Sequence, residues 1–325
     1  MQSFKMRLAG VAALAALVLT ACSGPEAEQR TTADVPGPSG GKLKVAVVTH
    51  GSLGDAFWNV VQNGALRAGK DLDVSVTYYS DGDPNSQAKL IDNAVAQRVG
   101  GLVVSMANPQ ALQTSVQNGV KAGIPVVTIN SGEDSSVAFG AIAHVGQSEG
   151  LAGHGAGQRL KDAGKTHLLC VIHEAGNIGQ NQRCDGAKQS FSHATTLQVD
   201  INNPNDVQAR IRGALQANPS IDAVLALNSQ IATRAYSAAK EASSKAQVAT
   251  FDLNNEVVSG IKSGDILFAI DQQQYEQGYL PIVILKLYTQ NGNTLGGGKP
   301  VQTGPGFVDK SNVDAITPYI QGGTR

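Results

Sequence analysis

From residue 42 onward, short apolar runs alternate with segments whose apolar positions recur at helical spacing. The runs are Leu43–Thr49, Val74–Tyr79, Leu102–Met106, Pro125–Ile129, His167–Ile172, Leu197–Ile201, Ala223–Leu227, Val248–Phe251 and Ile266–Ile270. They are rich in Val and Ile and do not alternate with polar residues, the mark of parallel strands covered on both faces. Between them, Phe57, Val60, Val61, Gly64, Ala65 and Ala68 repeat at helical spacing, and Val207, Ile211 and Leu215 form one stripe. Asp83-Pro84, Asn108-Pro109 and Asn203-Pro204 each place a capping residue before a proline at the first helical position. Repeated strand–helix units predict an α/β protein with doubly wound parallel sheets. There are too many units for one sheet of ordinary size. The pattern turns glycine-rich and weak between Val137 and Gly155, as at a crossing between domains, so two similar lobes are expected. Gln277–Thr289 is apolar on nearly every side and contains Pro281, which predicts a deeply packed, kinked helix. The glycines of Gly150–Gly157 fall in a predicted helix, and close packing at the lobe interface accounts for them better than phosphate binding.

The first 41 residues follow another pattern. Lys5 and Arg7 precede the apolar stretch Leu8–Leu19, which is the length of a signal core and shorter than a membrane span. It ends in Leu19-Thr20-Ala21-Cys22, which resembles a bacterial lipobox. That resemblance implies cleavage before Cys22 and lipid attachment there, anchoring the protein to the membrane; the alternative is an ordinary secretory signal with a chance cysteine. Residues 22–41 are rich in Pro, Gly, Glu, Thr and Ser and read as a flexible tether. Export places the chain in an oxidising space. The two remaining cysteines, Cys170 and Cys184, are then expected to form a disulfide, with two buried free thiols as the alternative.

Composition narrows the function. At 42% apolar, 16% charged and 5% aromatic, the 325-residue chain is built to bury cores and is no disordered polyelectrolyte. Its formal charge is −1, and loss of Lys5 and Arg7 with the leader leaves 23 basic against 26 acidic side chains, a net −3. Neither value suits a nucleic-acid binder. No CxxC pair, HExxH, Walker A or GxGxxG motif occurs, and no GxSxG elbow falls between a predicted strand and helix, so neither a metal site, a cofactor nor a catalytic role is expected. His173-Glu174 has the look of an acid–base pair, but a loop histidine is the simpler reading.

In open α/β sheets, ligands bind beyond the carboxyl ends of the strands. The residues there are His50, Asp55, Phe57 and Trp58, then Asn108, Asn130 and Ser131, Asn203, Asn228, Asp252, Asp271 and Gln272. Carboxylates accept hydrogen bonds and amides both donate and accept, so this set can satisfy the hydroxyls of a polyhydroxylated guest. Trp58 or Phe57 can lie against an apolar C–H face. No Lys or Arg follows a strand end directly, which disfavours an anionic guest. Asp252, Asn228 and above all Asn203 can also cap the helices that follow, a role compatible with ligand contact.

The lipobox, the two strand–helix lobes and the segments Thr49–Trp58, Val127–Glu133 and Ala249–Asp252 together resemble the periplasmic sugar-binding proteins of ABC importers, over residues 42–320. The subgroup is the ribose/galactose-binding type, which shares its fold with the effector domains of LacI-type repressors. The resemblance implies the type I fold, two lobes joined by three crossings that close on a sugar. The lobes would be 42–140 with 272–302, and 141–271 with 303–325. Asp55, Phe57, Trp58, Asn130 and Ser131 match family ligand positions. Within Gly176–Cys184, Asn181 matches best and Arg183 less well, and the remaining positions fall on Asn203, Asn228, Asp252 and Gln272. Where the ribose pattern holds arginine, this chain has Ser131 and Asn181, so ribose itself is in question. The implied partners are a neutral monosaccharide or polyol and an ABC permease, for a monomeric bacterial lipoprotein outside the cytoplasm. The alternative is a sensor that presents its ligand to a membrane receptor or kinase.

Overall fold

The computed structural model describes residues 41–325 apart from Leu53; the expected leader, Cys22 and nearly all of the tether lie outside the described residues. Two six-stranded sheets organise the chain. The first contains β1 (Lys44–Thr49), β2 (Ser75–Ser80), β3 (Gly101–Ser105), β4 (Val126–Ile129), β5 (Ala143–Gln147) and β11 (Val301–Gly304), in the order β11-β5-β4-β3-β1-β2. The second contains β6 (His167–Ile172), β7 (His193–Gln198), β8 (Ala223–Ala226), β9 (Gln247–Phe251), β10 (Ile266–Asp271) and β12 (Gly306–Asp309), in the order β12-β10-β9-β8-β6-β7. Every pairing is parallel except that of β10 with β12.

Continuous apolar strands require cover on both faces, and each sheet has it. Val45, Val47, Val103 and Val127 face one core, while Ala46, Val48, Val104 and Val126 face another on the opposite side. Leu169, Val224 and Val248 do the same on one face of the second sheet, with Leu168, Leu225 and Phe251 on the other. Each fully buried Val or Leu contributes on the order of 2 kcal/mol. The cover comes from α1 (Ala56–Asp71), α2 (Pro84–Ala96), α3 (Pro109–Lys121) and α4 (Glu133–Ser136) in the first lobe. In the second it comes from α5 (Glu149–Asp162), α6 (Ile178–Lys188), α7 (Pro204–Ala217), α8 (Ser229–Glu241), α9 (Asn255–Ser263) and α11 (Val313–Gln321). The long α10 (Gln274–Asn291), with Pro281 inside it, returns to the first lobe and packs on α1.

The chain passes between sheets three times: from β5 to α5, from β10 to α10, and from β11 to β12. The first passage follows Gln147, later than the boundary at 140 expected from sequence. The reason is β5, whose His144 and Gln147 hid it as a strand. Both are buried: His144 Nδ1 lies 2.9 Å from Thr128 Oγ1, and Gln147 Nε2 donates to Glu149 at 2.8 Å. The strand β7 starts earlier than the Leu197–Ile201 run, because it is an exposed edge strand with little apolar signal. The glycines of α5 also have a different role from the one expected. A Cβ on Gly153 or Gly157 would run into the Arg183 or Ala187 carbonyl of α6, so they serve a close helix pair inside the second lobe, not the lobe interface. Cys170 of β6 and Cys184 of α6 form a disulfide with an S–S distance of 1.98 Å.

Candidate functional site

The carboxyl ends of both sheets face one another, and a small cavity lies between them. It is lined by His50, Asp55, Phe57, Trp58 and Asn130 from the first lobe. The second lobe and the passage after β10 add His173, Glu174, Asn177, Gln180, Arg183, Leu227, Asn228, Asp252 and Gln272. Its free volume is about 30 Å³, room for a few water molecules. The lobes meet around it. Ile178 N donates to Ala107 O at 2.9 Å, Gln182 Nε2 to Asp134 Oδ2 at 2.9 Å, and Asn177 Nδ2 approaches His50 Nε2 at 3.4 Å.

Local folding rules set each wall. Asp55 caps α1, accepting from Phe57 N at 2.9 Å, which starts the helix with two aromatics turned inward. Trp58 meets His50 and Phe57 edge-on, at centroid distances of 4.7 and 4.9 Å, and belongs to the first lobe's core as well as to the cavity wall. Asn130 and Asp252 end the matching strands β4 and β9. Both have left-handed backbone, φ 60° and 67°, a conformation that Asn and Asp tolerate better than most residues. Asn228 caps α8, accepting from Gln230 N at 2.7 Å, and still faces the cavity. Asp252 caps nothing: Asn254 holds that position for α9, accepting from Val257 N at 2.7 Å, and this leaves the Asp252 carboxylate to the cavity.

Of the eleven ligand positions expected from sequence, eight line the cavity: Asp55, Phe57, Trp58, Asn130, Arg183, Asn228, Asp252 and Gln272. Ser131 is buried one layer behind, within hydrogen-bond reach of Asn130 Oδ1 (3.1 Å) and Asn177 Oδ1 (3.2 Å). Asn181 and Asn203 are exposed and away from it. On α6 the inward face carries Asn177, Gln180 and Arg183, spaced three apart from the cap onward, and Asn181 falls on the solvent face. Asn203 only caps α7, through Asp206 N at 3.4 Å. His173 and Glu174, read from sequence as an ordinary loop pair, are part of the wall. Gln180 Oε1 accepts from the backbone of both residues (2.9 and 3.2 Å). Its Nε2 therefore faces His173 Nε2 (3.0 Å) and Glu174 Oε2 (3.1 Å).

Electrostatics follow from burial. Arg183 donates to Glu149 through Nε (2.6 Å) and a terminal nitrogen (2.7 Å), reaches Gln272 Oε1 at 2.9 Å, and lies 4.6 Å above the Phe251 ring. Burial works against its charge, but Glu149, Asp252 and Glu174 together keep its pKa above that of ordinary arginine. Burial pushes Asp252 up to about 8 against the opposing pull of Arg183 and the Gln272 amide, which donates to it at 2.6 Å. Burial and then Glu174 push Asp55 up to about 7. His50 falls to about 3 and His173 to about 4, each chiefly through burial, so both rings are neutral near pH 7. The 3.7 Å approach of His50 to Glu174 is accordingly no ion pair at that pH. The site is thus a ring of acceptors and amides with one guanidinium already matched. Among the described residues, no group of three or more His, Cys, Asp or Glu is placed to hold a metal ion.

Two α/β lobes joined by three passages, with a polar cavity at their strand ends, define a protein built to bind a small guest between them. The chain belongs to the periplasmic binding protein family, whose domain model matches residues 45–294. It is 27% identical over 294 residues to a D-ribose/D-allose-binding protein of Pseudomonas aeruginosa, covering 85% of this chain and 90% of that protein. It is 25% identical over 256 residues to a xylose/arabinose-binding protein of Sulfolobus acidocaldarius; there the match covers 73% of this chain and only 63% of the relative's length. Among solved structures, a carbohydrate transporter of Acidothermus cellulolyticus in complex with myo-inositol is 41% identical with a TM-score of 0.86, covering 88% of this chain and all of that one.

Proposed function

We propose that this protein is an extracytoplasmic solute-binding protein that captures a neutral cyclic polyol or monosaccharide between its lobes. It hands the guest to an ABC permease and is held at the membrane through lipid on Cys22. The observation that carries the reading is the lining of the cavity. Amides and carboxylates from both lobes converge beside Trp58 and Phe57, while the one guanidinium is occupied by Glu149. Guest hydroxyls donate to Asp55, Asp252 and Glu174 and accept from Asn130, Asn177, Asn228 and Gln272, as their chemistry allows. A hydroxyl missing from the guest strands a buried partner at a cost of about 1–3 kcal/mol, so the site discriminates among isomers. The myo-inositol complex of the Acidothermus protein supports a cyclic polyol in particular.

Free space of about 30 Å³ is far below the roughly 300 Å³ of the smaller ligand pockets, so the lobes must part to admit a guest. Contacts to both lobes exist only when the cleft is shut, and the guest therefore favours closure. Driving a mostly open population almost wholly closed takes on the order of 5 kcal/mol of differential affinity. Several hydroxyl hydrogen bonds at about 1 kcal/mol each, with one stacked ring face, supply it.

A thermal-shift panel of neutral sugars and polyols tests the reading, because a guest that binds only the native state raises its apparent stability. We expect myo-inositol or a related uncharged polyol to stabilise the protein and to be recovered chemically intact. Stabilisation by an aldonate or an amino acid, with none by any neutral polyol or sugar, would overturn it.

A further inference from the structure

Arg183 poses a question of specificity. A guanidinium on the wall of a buried cavity is a ready bidentate partner for a carboxylate or phosphate and would invite an anionic guest. Here four of its five N–H groups have partners. Glu149 takes two of them in a forked pair at 2.6 and 2.7 Å, Gln272 Oε1 accepts at 2.9 Å, Leu227 O lies at 3.4 Å, and the Phe251 ring fixes the plane. Glu149 is itself outside the cavity wall and only 3% exposed. It is the first residue of α5, where the helix dipole favours a carboxylate, and Gln147 Nε2 donates to it at 2.8 Å. The Glu149 carboxylate is thus built into place from two sides, with its acceptors aimed at Arg183.

We propose that Glu149 sets the charge selectivity of the cavity without touching the guest: by gripping Nε and one terminal nitrogen of Arg183, the edge best shaped for a second carboxylate, it keeps that cation from pairing with an anionic sugar or polyol. This rests on the reading of the cavity as the guest site and adds to it the residue that excludes acids. Glu149 is a positioning residue that acts through Arg183.

The test compares affinities for myo-inositol and for the acidic probes D-glucuronate, D-galacturonate and D-gluconate, measured by calorimetry on the intact protein. Glu149→Gln keeps the shape and removes the charge. We expect the acid-to-neutral affinity ratio to rise by about tenfold or more, as Arg183 becomes available. The double variant Glu149→Gln with Arg183→Gln carries neither charge and should leave the ratio near that of the unaltered protein. If Glu149→Gln does not fold, Glu149→Asp, one methylene shorter and unable to hold the same fork, is read in the same way. A folded single variant with an unchanged ratio overturns the proposal, and so does an equal rise in the double variant, since then Arg183 is not the carrier. If the unaltered protein binds no neutral polyol or sugar, the proposed function fails. The gain of acid binding on releasing Arg183 is read separately, on the acidic probes alone.

Discussion

The two lobes repeat one scaffold and divide one task. Each sheet runs in the same order, with β4 and β9 in matching places, and each of these strands ends in a left-handed polar residue, Asn130 or Asp252. Each lobe also fastens its first helix by a glycine-mediated pair. A Cβ on Gly64 or Gly278 would meet backbone across α1 and α10, and one on Gly153, Gly157 or Gly186 would do so across α5 and α6. The side chains at the helix starts differ. Opening α1 are Asp55, Phe57 and Trp58, whereas α6 opens with Asn177 and Gln180 and carries Arg183 a turn later. Only the second lobe's helix is tied to its strand by a disulfide. Topology fixes where a wall stands, and a few positions per helix decide its chemistry: flat apolar faces on one side, hydrogen-bonding and charged groups on the other.

The shared device is where the comparison should break most severely. Gly278→Val and Gly153→Val each force a side chain against the backbone of the partner helix, and each should cost about 3 kcal/mol, one in either lobe, read as a lowered midpoint in denaturant unfolding. The disulfide breaks the symmetry. Replacing Cys170 and Cys184 by alanine opens a loop with a sequence separation of 14 residues and should cost about 3 kcal/mol in chain-entropy terms, with a smaller effect on affinity. An unchanged melting temperature after reduction would show that α6 is held by packing on α5 alone.

The same contrast governs what was legible in the sequence. Strands such as β1, β3, β8 and β9 announce themselves because their apolar runs are continuous and buried on both sides. The polar strand β5 does not, since its His144 is buried through a hydrogen bond with Thr128, sixteen residues away, that no periodicity reveals. Residues immediately beyond strand ends were legible as cavity candidates, because chain direction alone places them. On α6 and its cap only Arg183 was, while Asn177 and Gln180 were missed. Preferring Asn181 to Arg183 is an error of helical phase, and the phase is set by packing on α5 and by the Asn177 cap, which accepts from Gly179 N at 3.0 Å. Glu149 was invisible because its partner Arg183 lies a whole strand–helix unit away in the chain.

Site variants sharpen the division of labour between lobes. Asp252→Ala removes an acceptor that serves the cavity alone and should weaken guest binding by about 2–3 kcal/mol with little loss of stability, measured by calorimetry alongside thermal unfolding. Trp58→Ala should weaken binding as well, but it also opens the first lobe's core and so should lower the melting temperature, which Asp252→Ala should not. Asn181→Ala and Asn203→Ala should leave affinity unchanged. Loss of affinity in either would return that side chain to the site by a route that the present arrangement does not contain.

The smallest expected effect is the pH dependence of the guest-free protein, and its sign distinguishes the ring nitrogens from the carboxylates. His50, His144 and His173 are held by burial well below 6.5, at about 3, 4 and 4, so the unfolded chain binds protons there that the folded one refuses. Their contribution to stability is present above 6.5 and is lost as pH falls. Asp55 and Asp252 run the other way. Their folded values, about 7 and about 8, lie above the unfolded carboxylate range, so their contribution is complete below about 4 and disappears as pH rises through 7 and 8. Between about 4 and 6.5 the two sets oppose one another, and the three histidines outweigh the two carboxylates, so stability should rise modestly with pH. From about 6.5 to 8 the carboxylates' loss outweighs the last histidine protons released by the unfolded chain, and stability should fall by about 1 kcal/mol, read from melting temperatures in matched buffers. Asp252→Asn should flatten that upper limb more than Asp55→Asn, because its folded value is higher. A saturating polyol should also flatten it, since hydroxyl donors favour the ionised carboxylates and draw protons off on binding. An upper limb unchanged in both variants would mean that these carboxylates are already ionised in the empty cavity, with Arg183 and the surrounding amides holding them so.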